Sequence, residues 1–160
     1  MATSAKHAAR PLRADDLERM IAIDQAHTGR QRRRFFEKRF QAAKAHPHDF
    51  IHVGVSRNGS LIGFAFARVL HGEFGRDEPV AALDLIGVDP ASQDHGLGHA
   101  LLDGITDAMR SAGVRRLHSQ ADWTNHRLLA FFDSTGFELA SRLVLERPVA
   151  LPLAEAAEDI

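Results

Sequence analysis

The stretch from Val80 to Gly113 constrains the chain more than any other, because a strand, a glycine-bearing turn and a helix follow one another without a gap. Val80 to Val88 is apolar apart from Asp84 and reads as a strand, ended by Asp89-Pro90. Leu97, Leu101, Ile105, Ala108 and Met109 then recur at helical spacing until Gly113 stops the helix. Between them lies Gln93-Asp94-His95-Gly96-Leu97-Gly98-His99. Unpaired N–H groups and the positive dipole end at such a helix start favour an anion. Gly96 and Gly98 remove the Cβ atoms that would hold phosphate oxygens away. Two glycines in a turn also suit a plain strand–helix connection. Spacing eliminates two other phosphate motifs. A dinucleotide fingerprint needs a small residue where Leu101 stands, and a Walker loop needs a Gly-Lys-Ser/Thr that the segment lacks.

The rest of the chain supplies a sheet and helices around this unit. Ala8 to Leu12 suits a short strand, and Asp15 with Glu18 suits a capping box opening a helix that carries Leu17, Met20 and Ile21 as far as His27-Thr28-Gly29. A second helical stretch runs from about Arg30 to Ala45, with Phe36, Phe40 and Ala43 on one stripe. Phe50 to Arg57 and Leu61 to Leu70 flank Asn58-Gly59, which suits a two-residue type I′ hairpin because both positions need positive φ. His71 to Pro79 reads as a loop and Val114 to Trp123 as a strand. Asn125 to Ser134 reads as a short helix with Leu128, Leu129 and Phe132 inward, and Phe137 to Val149 as one or two closing strands. With no repeat and no linker, this order predicts one α+β domain over residues 1–160, its ends at 1–6 and 151–160 frayed. The sheet is expected to be mixed, mostly antiparallel and flanked by helices.

Composition removes whole classes of function. An apolar fraction of 44% and a charged fraction of 26% in 160 residues are those of an ordinary globular protein able to bury a core. A net charge of −1 gives no global field for nucleic acid or an anionic membrane surface. Cysteine is absent, which removes thiol nucleophiles, disulfides and thiolate metal sites together. No run approaches the ~20 apolar residues of a membrane span, and the first residues lack a secretory h-region. The expectation is a cytoplasmic domain.

The pattern Val88-x-Pro90-x-x-Gln93-x-x-Gly96-x-Gly98, followed by an Ala-Leu-Leu helix, resembles the acetyl-CoA signature of the GNAT N-acetyltransferase superfamily. Asn125, Leu128, Phe132, Gly136 and Phe137 fall at the spacings of that superfamily's second signature, Asn-x-x-Ala-x-x-x-Tyr-x-x-x-Gly-Phe. Arg10-Pro11-Leu12 and Asp16-Leu17 extend the likeness to nearly the whole chain. The resemblance implies an enzyme using acetyl-CoA as co-substrate, with no metal, and a sheet whose central strands splay. It implies that Gln93, Asp94, His95, Gly96, Leu97, Gly98 and His99 hold the pyrophosphate through backbone groups. Ile86 and Val88 would pair edge-on with the pantetheine, Gly87 would sit at the bulge that opens the strand, and Asn125 would contact the pantetheine or sulfur end. Homodimerisation is common among resembling proteins, though no residue here demands it.

Acyl transfer from a thioester to an amine needs a proton acceptor, an oxyanion donor and a departing thiolate. The backbone N–H of Val88 is the expected oxyanion donor by resemblance. Asp84 interrupts an apolar strand four residues before Val88 and on its face by the period of two, so it is the candidate base. The competing reading makes it an ion-paired strand residue, facing Arg142 or His118. Asp122 is the reserve base. Phe132 stands where the family usually has a Tyr to protonate the leaving group, and the chain has no Tyr. A thiol can depart as thiolate near a helix N-terminus. Otherwise the chain is an inactive acyl-CoA sensor, or an interaction module of the same fold.

Other polar clusters carry less. Arg30, Arg32, Arg33 and Arg34 read as a solvated helix face, or as attraction for an anionic acceptor. His46, His48 and His52 crowd one segment without the carboxylate spacing of a metal site. Trp123 is expected in the core or the cleft wall. The acceptor is an amine whose identity no pattern specifies.

Overall fold

Asn58 and Gly59 take φ of 51° and 78°, and this turn starts the sheet. It joins β2 (Phe50–Arg57) to β3 (Ser60–Leu70) as an antiparallel hairpin. The computed structural model describes residues 7–93 and 96–150. Within it the sheet has five strands in the order β1-β2-β3-β4-β5, where β1 is Ala9–Pro11, β4 Val80–Val88 and β5 Leu117–Ser119. Neighbours β1 to β4 are antiparallel, and β4 and β5 are parallel across the helix α3 (Leu97–Ser111). Helices α1 (Leu17–Thr28) and α2 (Arg33–Ala45) precede the hairpin, and α4 (His126–Ser134) follows β5. No helix among the described residues is long and apolar enough to cross a membrane.

The period of two divides β3 between the two faces. Phe64 and Phe66 point to α1 and α2, where they join Leu12, Met20, Ile23 and Phe36 in a buried cluster with edge-on ring contacts. Gly63 faces α3, and Leu101 lies 3.2 Å from where a Cβ on Gly63 would stand. On α3 the stripe Leu97, Leu101, Ile105 and Met109 is buried, as its spacing requires.

The entry to α1 differs from the expected capping box. Asp16, one residue beyond the expected Asp15, accepts the Arg13 backbone N–H at 2.7 Å and both Nη groups of Arg10 at 2.8 Å. Arg10 also donates to Ser56 Oγ at 2.7 Å, tying β1, the turn into α1 and β2 together. The Arg10 hydrogen bonds hold the Asp16 carboxyl below its ordinary value despite its burial.

The structure divides at Asn125/His126 into a larger unit and a smaller one. In the smaller unit Phe132 is buried, its ring 4.7 Å from that of Phe137 and 5.8 Å from that of Phe131. Phe137 N bonds back to Phe132 O, and Gly136 takes φ of 84° to close the helix. The closing strands expected over Phe137 to Val149 are not formed: residues 137–150 are neither helix nor strand. A strand exists only by pairing, and no described segment pairs with this one. The strand expected from Val114 to Trp123 is likewise cut to Leu117–Ser119, and Trp123, expected in the core or the cleft wall, is 84% exposed and so not in the core.

Candidate active site

β4 and β5 pair only from Ala81 to Leu83. At the last pair Ser119 Oγ donates to Leu83 O at 3.0 Å. Beyond it β4 runs on to Val88 paired with β3 but not with β5. Opposite residues of an antiparallel pair alternate between exchanging two hydrogen bonds and exchanging none. Asp89 N donates to Ile62 O at 2.8 Å, so 62/89 is a bonded pair, and by the register Phe64/Gly87 and Phe66/Leu85 are too. Ile86 and Val88 therefore turn their N–H and C=O away from β3, toward the side that β5 has left. A strand edge that presents amides in this way can accept an extended amide-bearing chain.

The irregularity that makes the opening lies at Asp84, not at Gly87. The β3 register slips between Phe66 and Ala67, opposite Leu85 and Leu83, leaving Asp84 as the extra residue. Gly87 serves another purpose. A Cβ there would stand 3.0 and 3.1 Å from the Phe64 ring and 3.3 Å from Ile23 Cγ2, so glycine lets α1 lie close on the end of β4.

Just past β4, Asp89 Oδ1 accepts Ala91 N at 3.1 Å and starts a single 3-10 turn over Pro90–Ser92. That bond, followed by the ion pair to Arg19 at 2.6 Å, draws the Asp89 carboxyl below its ordinary value. Gly96 takes φ of 70° and is the N-cap of α3, with no side-chain capping bond. The first N–H groups of α3 thus face out of a glycine turn, the arrangement that binds phosphate. Asp94 and His95 lie outside the described residues. Leu97 is buried and anchors the helix, while His99 is exposed and Gln93 and Gly98 are half-buried.

Asp84 is mostly buried and ion-paired. Arg39 on α2 reaches it at 2.8 Å and Arg68 on β3 at 2.7 Å, in place of the expected Arg142 or His118. Arg68 also donates to the second carboxylate oxygen at 3.3 Å. With both oxygens engaged by guanidiniums, the carboxylate ties α2 and β3 to β4. Asp122 accepts the Thr124 backbone N–H at 2.9 Å and the Thr124 hydroxyl at 2.7 Å, and these bonds lower its pKa. Asn125 N donates to Asp122 O at 2.9 Å, completing that turn.

One residue beside the opening escaped sequence reasoning. His27 Nε2 lies 2.6 Å from Val88 O. No local pattern marks this contact, because it joins residues 61 apart in sequence. Of the basic cluster, Arg32 is bonded to Asp24 at 2.8 Å and Arg33 to Glu18 at 2.7 Å, so both serve the α1–α2 pair. His52 packs on Phe40 and Phe66, and burial pushes its pKa down. No group of three metal-ligating side chains occurs among the described residues. A groove of about 1150 Å³ runs along α3, from Gly96 and His99 at its start, beside β1 and β2.

Comparison with known proteins agrees with this geometry. Residues 12–137 match the family model described as "Acetyltransferase (GNAT) family". A mycothiol acetyltransferase from Propionibacterium freudenreichii subsp. shermanii is 30% identical over 134 residues, covering 81% of this chain and 42% of the relative. The [ribosomal protein bS18]-alanine N-acetyltransferase of Escherichia coli K12 is 32% identical over 92 residues, covering 58% of this chain and 57% of the relative. The chain thus spans about half the length of these curated relatives. Among solved structures, AAC(6')-Iy in complex with a CoA bisubstrate analogue superposes with a TM-score of 0.74 at 21% identity, covering 89% of this chain and 97% of that one, a likeness of fold. The splayed β4–β5 pair, the glycine turn before α3 and the family match over most of the chain place this protein in the GNAT acetyltransferase family.

Proposed function

We propose that the chain moves an acetyl or other small acyl group from acyl-CoA directly to a primary amine. The observation that carries this reading is the outward-turned backbone of Ile86 and Val88 together with the glycine N-cap of α3. The first suits the amides of a pantetheine arm and the second a pyrophosphate, at adjoining ends of one cleft. Gln93 and residues 94–99 would surround the phosphates, and Asn125 the sulfur end. The N–H of Val88 would stabilise the tetrahedral oxyanion. Direct attack is favoured because no cysteine is present to carry the acyl group. The curated relatives are named a mycothiol acetyltransferase and a ribosomal-protein alanine N-acetyltransferase, and the second name supports an amine acceptor without choosing one. The family match crosses the boundary at Asn125, which supports reading both units as one acyltransferase domain.

Asp84 and Asp122 were the carboxylates expected to take the amine's proton. The partners of Asp84 favour a role in holding Arg39 and Arg68 at the acceptor side, and Asp122 is engaged by its own turn. Phe132 has no hydroxyl, which favours departure of CoA as thiolate within the enzyme reading and favours an acyl-CoA sensor as the rival. Thiol release from acetyl-CoA over a panel of amines separates the two. The enzyme releases CoA with at least one amine at a rate above hydrolysis. Binding of acetyl-CoA with no release for any amine would favour the sensor.

A further inference from the structure

The proton acceptor has a better candidate in His27, and this inference rests on the acyltransferase reading above. Three residues one turn apart on α1, Arg19, Ile23 and His27, run along the ends of β3 and β4. Arg19 bonds Leu61 O at 3.2 Å and Asp89 at 2.6 Å, Ile23 fills the space over Gly87, and His27 reaches Val88 O at 2.6 Å. In an extended strand a residue's N–H and C=O point the same way. His27 therefore sits directly beside the N–H proposed to hold the oxyanion.

That contact also fixes the ring. A carbonyl oxygen only accepts, so Nε2 carries a hydrogen, and in the neutral ring the lone pair is on Nδ1. The carbonyl orients the imidazole, as the third member of a nucleophile–base–orienter set does. The ring is exposed, so a proton it collects can pass to water. Asp89, at the end of β4, is a charged group whose field reaches the ring, and it is itself paired with Arg19.

We propose that His27 Nδ1 takes the proton from the acceptor's ammonium group as the amine attacks the thioester. The ammonium N–H bond breaks and the proton goes to Nδ1. The nitrogen lone pair then forms the C–N bond, and the C–S bond breaks with its electron pair leaving on sulfur. The second nitrogen proton neutralises the thiolate, and the imidazolium returns its proton to water.

His27→Gln retains a donor for Val88 O and lacks a base, so it separates anchoring from proton transfer. Wild type and variant are compared for thiol release from acetyl-CoA with an N-terminal-alanine peptide and glucosamine as acceptors, and for acetyl-CoA affinity by calorimetry. The variant should lose about 100-fold or more in kcat/KM, with the acid limb of its pH profile flattened and its acetyl-CoA Kd within threefold of wild type. Added imidazole should restore turnover to His27→Gly. Nitrogen-15 spectra should show the Nε2–H tautomer for His27. A variant that binds acetyl-CoA and turns over within threefold of wild type, or an Nδ1–H tautomer, would overturn the role of His27 and leave the acyltransferase reading standing. Failure of the wild type to bind acetyl-CoA would overturn that reading first.

Discussion

At the residue scale, Asp84 illustrates how a partner changes what a side chain can do. A lone carboxylate in an apolar strand reads as a base; the same carboxylate between Arg39 and Arg68 reads as a clamp. Asp84→Asn keeps the shape and removes the charge, leaving Arg39, itself mostly buried, without its anion. The loss should be about 1–3 kcal/mol of stability by chemical denaturation, with KM for the amine rising more than kcat falls. A loss of kcat at unchanged KM and stability would return Asp84 to the chemistry. Asp16 gives the acid dependence. Its folded pKa lies below the ordinary 3.8, chiefly through the Arg10 hydrogen bonds, so its contribution is complete above that value and disappears as pH falls through the lower folded one. Between pH 7 and pH 3 wild type should lose more stability than Asp16→Asn, in denaturant titrations at each pH.

At the element scale, α1 lying on the end of β4 through Gly87 is the structural decision that builds the site. Gly87→Ala would put a methyl 3.0 Å from Phe64 and 3.3 Å from Ile23, so one of them must give way. Overpacking of this kind costs about 1–3 kcal/mol. Lifting α1 should also draw His27 from Val88, so turnover should fall while acetyl-CoA affinity, set mainly at α3, changes little. Unchanged turnover at full stability would show that the seam does not position the site. The elements themselves were legible where local rules decide them: Asn58-Gly59 forced the hairpin, and the stripe from Leu97 to Met109 forced α3. Val80–Val88 was readable from its apolar run. Features set by non-local pairing were not. The short β5, the slip at Asp84 and the unpaired segment after Phe137 all depend on what lies beside a strand, which its own sequence does not state. The glycine turn before α3 was readable for the same reason as α3, and the contact of His27 was not, since only the fold brings it to Val88.

At the scale of the whole molecule, two surfaces matter. Leu139, Leu143, Val144, Leu145 and Val149 lie along the segment after α4 and are at least 64% exposed. Exposed apolar residues gathered on one segment mark a surface that can take a partner, and a second copy is the partner always at hand. Sedimentation equilibrium should return more than the 17.6 kDa of one chain, and Leu143→Lys with Leu145→Lys should move the mass toward it. A single-chain mass for wild type would leave the segment unpaired in solution. The other surface is the cleft between β4 and β5 with the α3 start at its end, on which the functional reading stands. Calorimetric titration of acetyl-CoA into wild type and Gly98→Glu tests it most directly. The account predicts one site per chain, weakened at least about tenfold (1.4 kcal/mol) by a carboxylate placed against the phosphates. Absence of binding, or equal affinity in both proteins, would contradict it.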